Sequence, residues 1–248
     1  MLALLLAFAA TSVRADPTFP PLTGRVVDDA HVLSDQTVSD LTQKLADLET
    51  KTGRQLVVVT LPSLQGYEIE DYGYQLGRAW GIGQKGQDNG ALLIIAPTEH
   101  KVRIEVGYGL EPILTDALSN QIIQSSILPK FRTGDFNGGA EAGTDAIIAQ
   151  LSADAQTQTA NVQQAATAAK PQSSGLGFGA ILGLVIFFFV ISSLFRGMGW
   201  FLPMMILGSG SRSGGWGGGG WSGGGFGGGG GFSGGGGSFG GGGASGGW

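Results

Sequence analysis

Val38, Leu41, Leu45 and Leu48 recur at helical spacing between polar residues, and they predict a helix that opens at Ser34 and stops at Gly53. A serine hydroxyl caps the free amides of a first turn, and glycine takes the left-handed conformation that ends a helix. Residues 55–61 (QLVVVTL) are continuous and β-branched, which predicts a buried strand. Ile69, Tyr72, Leu76 and Trp80 mark a second helix, ended by Gly81. Residues 91–96 (ALLIIA) predict a second buried strand, and a short link at 97–100 leads to a third. In that strand Val102, Ile104 and Val106 share one face while Arg103 and Glu105 share the other. Thr115 or Asp116 opens a third helix, with Leu118, Ile122 and Ile123 as its apolar side and Pro129 near its end. Asp135 caps a fourth, anchored by Phe136, Ala140, Ile147 and Leu151. The order αβαββαα predicts an α/β fold, a small mixed sheet with helices on its faces.

The flanks of this pattern are apolar or of low complexity. Residues 2–10 form a short apolar run followed by Val13-Arg14-Ala15, which reads as a signal peptide over 1–15, cut after Ala15. Residues 176–195 (LGFGAILGLVIFFFVISSLF) carry no charge, and at about 1.5 Å per residue they span a hydrocarbon core of roughly 30 Å. Arg196 and Arg212 follow this segment and no acid does, so the positive-inside rule places the domain outside and the tail in the cytoplasm. Residues 196–207 include a second, shorter apolar patch broken by Pro203, read as interfacial; a hairpin between it and the first span would turn the tail outward. The division expected is a domain over 16–152, a flexible stalk rich in Ala, Gln, Thr and Ser over 153–175, the span, and a disordered tail over 208–248. Gly accounts for 26 of the 41 tail residues, which leaves almost no apolar surface to bury.

Composition removes several chemistries. The chain has no Cys and only two His, His31 and His100, so disulfides, thiolate sites and a Cys nucleophile are excluded and zinc is poorly supplied. Residues 16–170 carry all 19 acids against 11 bases, a net of −8 that argues against nucleic acid as a partner and for cations or basic protein surfaces. No dinucleotide fingerprint, phosphate-binding loop or G-x-S-x-G turn is present.

Polar and glycine-rich residues concentrate at 80–90 (WGIGQKGQDNG), at 107–111 (GYGLE) and at 114–116. The loop before one strand and the loop after its hairpin partner lie at the same end of a sheet, so Asp88 and Asn89 are expected to meet Glu111 and Asp116 there. Oxygen donors without Cys or His suit a hard cation, Ca²⁺ or Mg²⁺. Glu105 has a structural alternative, pairing across a strand with neighbours of Arg103.

The stretches GRVVDDAHVLSD at 24–35, WGIGQKGQDNGALLIIA at 80–96, VRIEVGYGLEPILTD at 102–116 and GDFNGG at 134–139 resemble the TPM-domain family, in particular its bacterial YgcG-like membrane-anchored branch. The resemblance covers about residues 24–151 and implies a three-layer α/β/α sandwich. It implies divalent-cation binding at Asp88, Asn89, Glu105, Glu111 and Asp116, an acid-phosphatase activity in some members, and assembly or maintenance of membrane complexes in others. Pro112 stands where the family pattern leads one to expect Gly.

The function expected first is a cation-binding interaction module, held at a bacterial inner membrane with residues 16–175 in the periplasm and a membrane protein as partner. The alternative is a metal-dependent phosphatase acting on phosphomonoesters, with Asp88 or Asp116 as base. Lys85 is the only base within residues 81–90, a thin supply for a phosphate. Trp216, Trp221, Phe226, Phe232, Phe239 and Trp248 punctuate the tail and are candidates for weak multivalent contacts.

Overall fold

The computed structural model describes residues 16–169, 232 and 234–248. The elements run β1 (Val26–Asp28), α1 (Asp35–Thr52), β2 (Gln55–Thr60), α2 (Ile69–Trp80), β3 (Gly90–Ala96), β4 (Lys101–Gly107), α3 (Asp116–Ile122), a π-turn (Ile123–Ile127), α4 (Leu128–Phe131), α5 (Phe136–Ser152), α6 (Ala155–Ala169) and β5 (Phe239–Gly247). One five-stranded sheet has the order β1-β2-β3-β4-β5. β1, β2 and β3 are parallel, and β4 is antiparallel to both β3 and β5. The signal-peptide reading at 1–15 and the membrane span at 176–195 lie outside the described residues. Among the described residues no helix is long and apolar enough to cross a membrane.

The caps read from sequence are in place. The Ser34 hydroxyl accepts the Thr37 N–H at 3.1 Å, and Gly53, at φ +70°, ends α1. Gly81, at φ +59°, ends α2, and the Thr115 and Asp135 side chains cap α3 and α5. Every residue of β2 and β3 is buried, as expected for strands covered on both faces. Alternation sends Leu56, Val58, Leu93 and Ile95 into one cluster with Leu41, Leu45, Ile147 and Leu151. It sends Val57, Val59, Leu92 and Ile94 into another with Ile69, Tyr72 and Leu76. Helix α2 therefore covers one face of the sheet, and α1, α3 and α5 cover the other.

Three segments depart from the expectation. The flexible stalk expected from residue 153 is helical as far as Ala169. Its Ala and Gln content is as good for a helix as for a linker, and the Asp154 carboxylate accepts the Gln156 and Thr157 N–H groups at 3.0 and 2.9 Å to open it. Reciprocal side-chain to backbone bonds between Gln150 and Gln158 then dock α6 on α5. The third helix is interrupted by the π-turn, because Pro129 lacks the N–H that would bond the carbonyl of Ser125.

The largest departure is at the C terminus. The tail expected to be disordered over 208–248 ends in β5, which pairs along the whole of β4. Low complexity denies this segment a core of its own, but it needs none, since it adds to an existing edge. Its glycines permit that approach: a Cβ at Gly243, where φ is +120°, would strike the carbonyl oxygen of Ile104.

Candidate functional site

The loop entering β3 and the loop leaving β4 meet at one end of the sheet, as their order predicts. The Gly109 N–H donates to the Asp88 carbonyl at 3.0 Å, and Gly107 packs so closely that a Cβ on it would come within 2.8 Å of the Gly90 carbonyl oxygen. Asp88 sits at φ +50°, a left-handed conformation that Asp tolerates better than most residues.

The carboxylates at this rim are engaged by the C-terminal segment. Asp88 Oδ1 accepts the Ser238 N–H at 2.9 Å, and Asp116 Oδ1 accepts the Gly243 N–H at 2.7 Å. Two acids, one from the loop before β3 and one from the first turn of α3, thus hold one extended backbone. Glu111 and Asp116 line a shallow cleft of about 520 Å³ with Thr115, Ala117 and the glycines Gly240, Gly241 and Gly242.

The other two predicted ligands are elsewhere. Asn89 is buried and spends its side chain bracing its own loop: Oδ1 accepts the Gln84 N–H at 2.8 Å, and Nδ2 donates to the Gly53 carbonyl at 3.0 Å. Glu105 lies within β4 beneath α2, where Arg103 Nε donates to its Oε2 at 2.5 Å, both side chains being almost fully buried. Gly73 of α2 makes room for this pair, since a Cβ there would come 3.3 Å from Arg103 Cδ and 3.4 Å from Glu105 Oε2. The set Asp88, Asn89, Glu105, Glu111 and Asp116 therefore does not gather around one point. Among the described residues no group of three or more His, Asp or Glu side chains is arranged to hold a metal ion. Glu111 and Asp116 are what remains of that set on a shared cleft.

Sequence reading missed the polar knot under α2. Besides Glu105, Arg103 donates to the carbonyls of Gly241 and Gly242 at 2.9 and 3.4 Å and to Ser245 Oγ at 3.0 Å. Burial pushes the Glu70 carboxyl up, but the Ser245 hydroxyl and the charges of Arg103 and Lys101 outweigh it and hold the group below its usual range. Burial pushes Glu105 up to about 7, against the opposing pull of Arg103 and the Gly241 amide. The available signal was the alternation of β4, which put Arg103 and Glu105 on one face; what it lacked was a reason to bury that face.

A folded-state value above the unfolded one means that the folded chain binds the Glu105 proton more tightly. The contribution is complete below the unfolded value of about 4.5 and is lost as pH rises through about 7. Glu105→Gln mimics the protonated form. The melting temperature of the wild type is expected to fall relative to that of Glu105→Gln between pH 4.5 and 8, and parallel curves for the two proteins would contradict this assignment.

A parallel-to-mixed sheet flanked by helices, with an acidic glycine-bearing rim at the β3–β4 end, defines a small α/β domain. The model of the TPM domain matches residues 26–150, and the chain belongs to the TPM-domain family. Among solved structures it is similar to the N-terminal domain of a protein from P. gingivalis, with 35% identity and a TM-score of 0.49 over 52% of this chain and 82% of that one. It is also similar to the N-terminal domain of a Corynebacterium glutamicum protein, at 21% identity and a TM-score of 0.43, covering 58% of this chain and 90% of that one. A protein from Bizionia argentinensis matches at 17% identity and a TM-score of 0.43, over 48% and 81% of the respective chains. No curated protein matches the chain.

Proposed function

We propose that this chain is a membrane-held TPM interaction module whose recognition face is the acidic rim at the β3–β4 end of its sheet. The observation that carries this reading is the convergence of Asp88, from the loop before β3, and Asp116, from the first turn of α3, on backbone N–H groups of one extended segment. Carboxylates aimed at main-chain amides favour polypeptide as the ligand. The phosphatase reading, with Asp88 or Asp116 as base, has less behind it, since Lys85 is the only base within residues 81–90 to meet a phosphate. A divalent cation fits this scheme at Glu111 and Asp116, beside the glycines of the same cleft.

In this reading residues 1–15 export the chain, residues 176–195 hold it in the inner membrane, and the domain is periplasmic. The pairing of β5 with β4 supports one change to the topology expected from charge: the C-terminal end lies on the domain's side of the membrane. The absence of Cys makes this testable. Gln163→Cys and Gly247→Cys, made singly, are both expected to react with a membrane-impermeant maleimide in intact spheroplasts. Labelling of Gly247→Cys only after lysis would defeat the shared-side topology.

The cation is tested on the full chain in detergent. Millimolar Ca²⁺ or Mg²⁺ is expected to raise its melting temperature by roughly 3 °C, as one occupied site on a domain of this size does. Glu111→Gln combined with Asp116→Asn is expected to abolish the response. A wild-type chain that ignores both ions would remove the cation from the proposal.

A further inference from the structure

We propose that the outer edge of β4, with an aromatic socket towards each end, is a peptide-binding site for an extended glycine-rich segment, and that residues 234–248 of this chain fill it as an exchangeable ligand of its own. This deepens the interaction-module reading by naming the class of ligand that the rim takes.

The ligand-like character of the segment follows from how it is held. At its start, the Phe239 ring is fully buried against α2, where a Cβ on Gly77 would come 2.9 Å from its Cδ2. At its end, Trp248 packs its ring 4.6 Å from that of Phe131, with Phe136 and His100 at 6.0 and 5.6 Å. Between the sockets the domain contacts mostly backbone, with the Ser245 hydroxyl and the Ala244 methyl as the side chains it also touches. β4 supplies the ladder, Asp116 accepts the Gly243 amide and Arg103 donates to the carbonyls of Gly241 and Gly242, while Asp88 accepts the Ser238 amide just before the first socket. Beyond the ladder, the Trp248 N–H donates to the His100 carbonyl at 3.2 Å. This is recognition by strand addition, in which main-chain bonds supply affinity and side-chain pockets supply selectivity.

The groove also selects for small residues. A Cβ at Gly242 would come 2.9 Å from Glu111 Oε1, and one at Gly246 would come 2.5 Å from Ile123 Cγ2. At Gly243 it would overlap the Ile104 carbonyl, and at Gly240 the Tyr108 ring. The site therefore reads an aromatic, a run of glycine and other small residues, and a second aromatic nine positions on, which is the sequence FGGGGASGGW of 239–248.

Exchange follows from the way the sheet is assembled. Strands β1 to β4 and helices α1 to α6 form an unbroken run within 26–169, and the TPM match ends at residue 150. β5 joins from beyond residue 231, on the open edge of that assembly. Glycine is a poor strand former that loses much freedom on ordering, so the segment is held by its two aromatics and the polar contacts rather than by any strand preference. A free segment of the same sequence makes every one of these contacts.

The test uses the full chain carrying Gly243→Val, which blocks docking of the chain's own segment and leaves the acceptor residues untouched. A fluorescein-labelled peptide of residues 234–248 is expected to bind this variant saturably, at least tenfold more tightly than it binds the wild type, whose site is filled. A peptide carrying Phe239→Ala and Trp248→Ala is expected to bind at least tenfold more weakly. Failure of the peptide to bind a folded Gly243→Val chain overturns the proposal. Should that variant not fold, hydrogen exchange of the wild type decides. Amides of β5 exchanging at least 100-fold faster than those of β3 support an opening strand, and equal protection overturns it. No cation or membrane partner enters these measurements, so their failure is separable from failure of the broader reading.

Discussion

Arg103→Ala is expected to destabilise the chain by about 3–5 kcal/mol at pH 8, the cost of leaving a buried charge without its partner. The substitution removes the guanidinium that donates to Glu105 and, at the same time, the donors to Gly241 and Gly242 on β5. On a domain of this size such a loss lowers the melting temperature by roughly 10 °C. The effect should shrink as pH falls towards 5, because Glu105 already takes a proton near pH 7 with Arg103 present, and a protonated carboxyl needs no counter-charge. A double replacement by apolar residues of similar volume, Arg103→Met with Glu105→Leu, should recover a large part of the stability lost in the single variant. Urea unfolding of the three variants at pH 5 and pH 8 measures all of this. A single variant that loses under 1 kcal/mol at pH 8 would mean that the pair under α2 is solvated.

The same pair shows where sequence reading reached its limit. Helix boundaries were legible because caps are local: Ser34, Gly53, Gly81, Thr115 and Asp135 each act on their own turn. The β3–β4 hairpin and the meeting of its flanking loops followed from strand order alone. The burial of Arg103 and Glu105 did not, because it depends on glycines about thirty residues earlier in the chain: Gly73 and Gly77 let α2 settle onto that face and onto Phe239. Asp88 and Asp116 were found as rim acids, but their partner was sought in a cation, since the segment that bonds them carries no strand signal. Six of the nine residues of β5 are glycine, and composition predicted disorder for them. The aromatic punctuation at Phe239 and Trp248 was visible, and only the sockets that receive it were hidden.

Phe239→Ala is expected to have the same effect on stability as deletion of residues 234–248, and this equality distinguishes a docked ligand from a core strand. Truncating a fully buried phenylalanine in a core typically costs about 3–5 kcal/mol, because the surrounding structure cannot leave. Here the structure around Phe239 divides into a domain that stays and a strand that can go. Ordering backbone costs about 1–2 kcal/mol per residue, so nine residues rich in glycine oppose docking by roughly 9–18 kcal/mol before any contact is counted. The net docking free energy is the small remainder, and once the Phe239 ring is gone that remainder is exhausted. The strand then leaves, and further damage to it has no additional effect on the domain. Urea midpoints of Phe239→Ala and of the deletion should therefore coincide, both below that of the wild type. Gly77→Ala reaches the same end from the acceptor side: it improves α2 by about 1 kcal/mol in intrinsic propensity while placing a methyl against the Phe239 ring. A Gly77→Ala chain that keeps β5 docked and melts higher than wild type, or a Phe239→Ala chain clearly less stable than the deletion, would show that the strand belongs to the core and cannot be released from it.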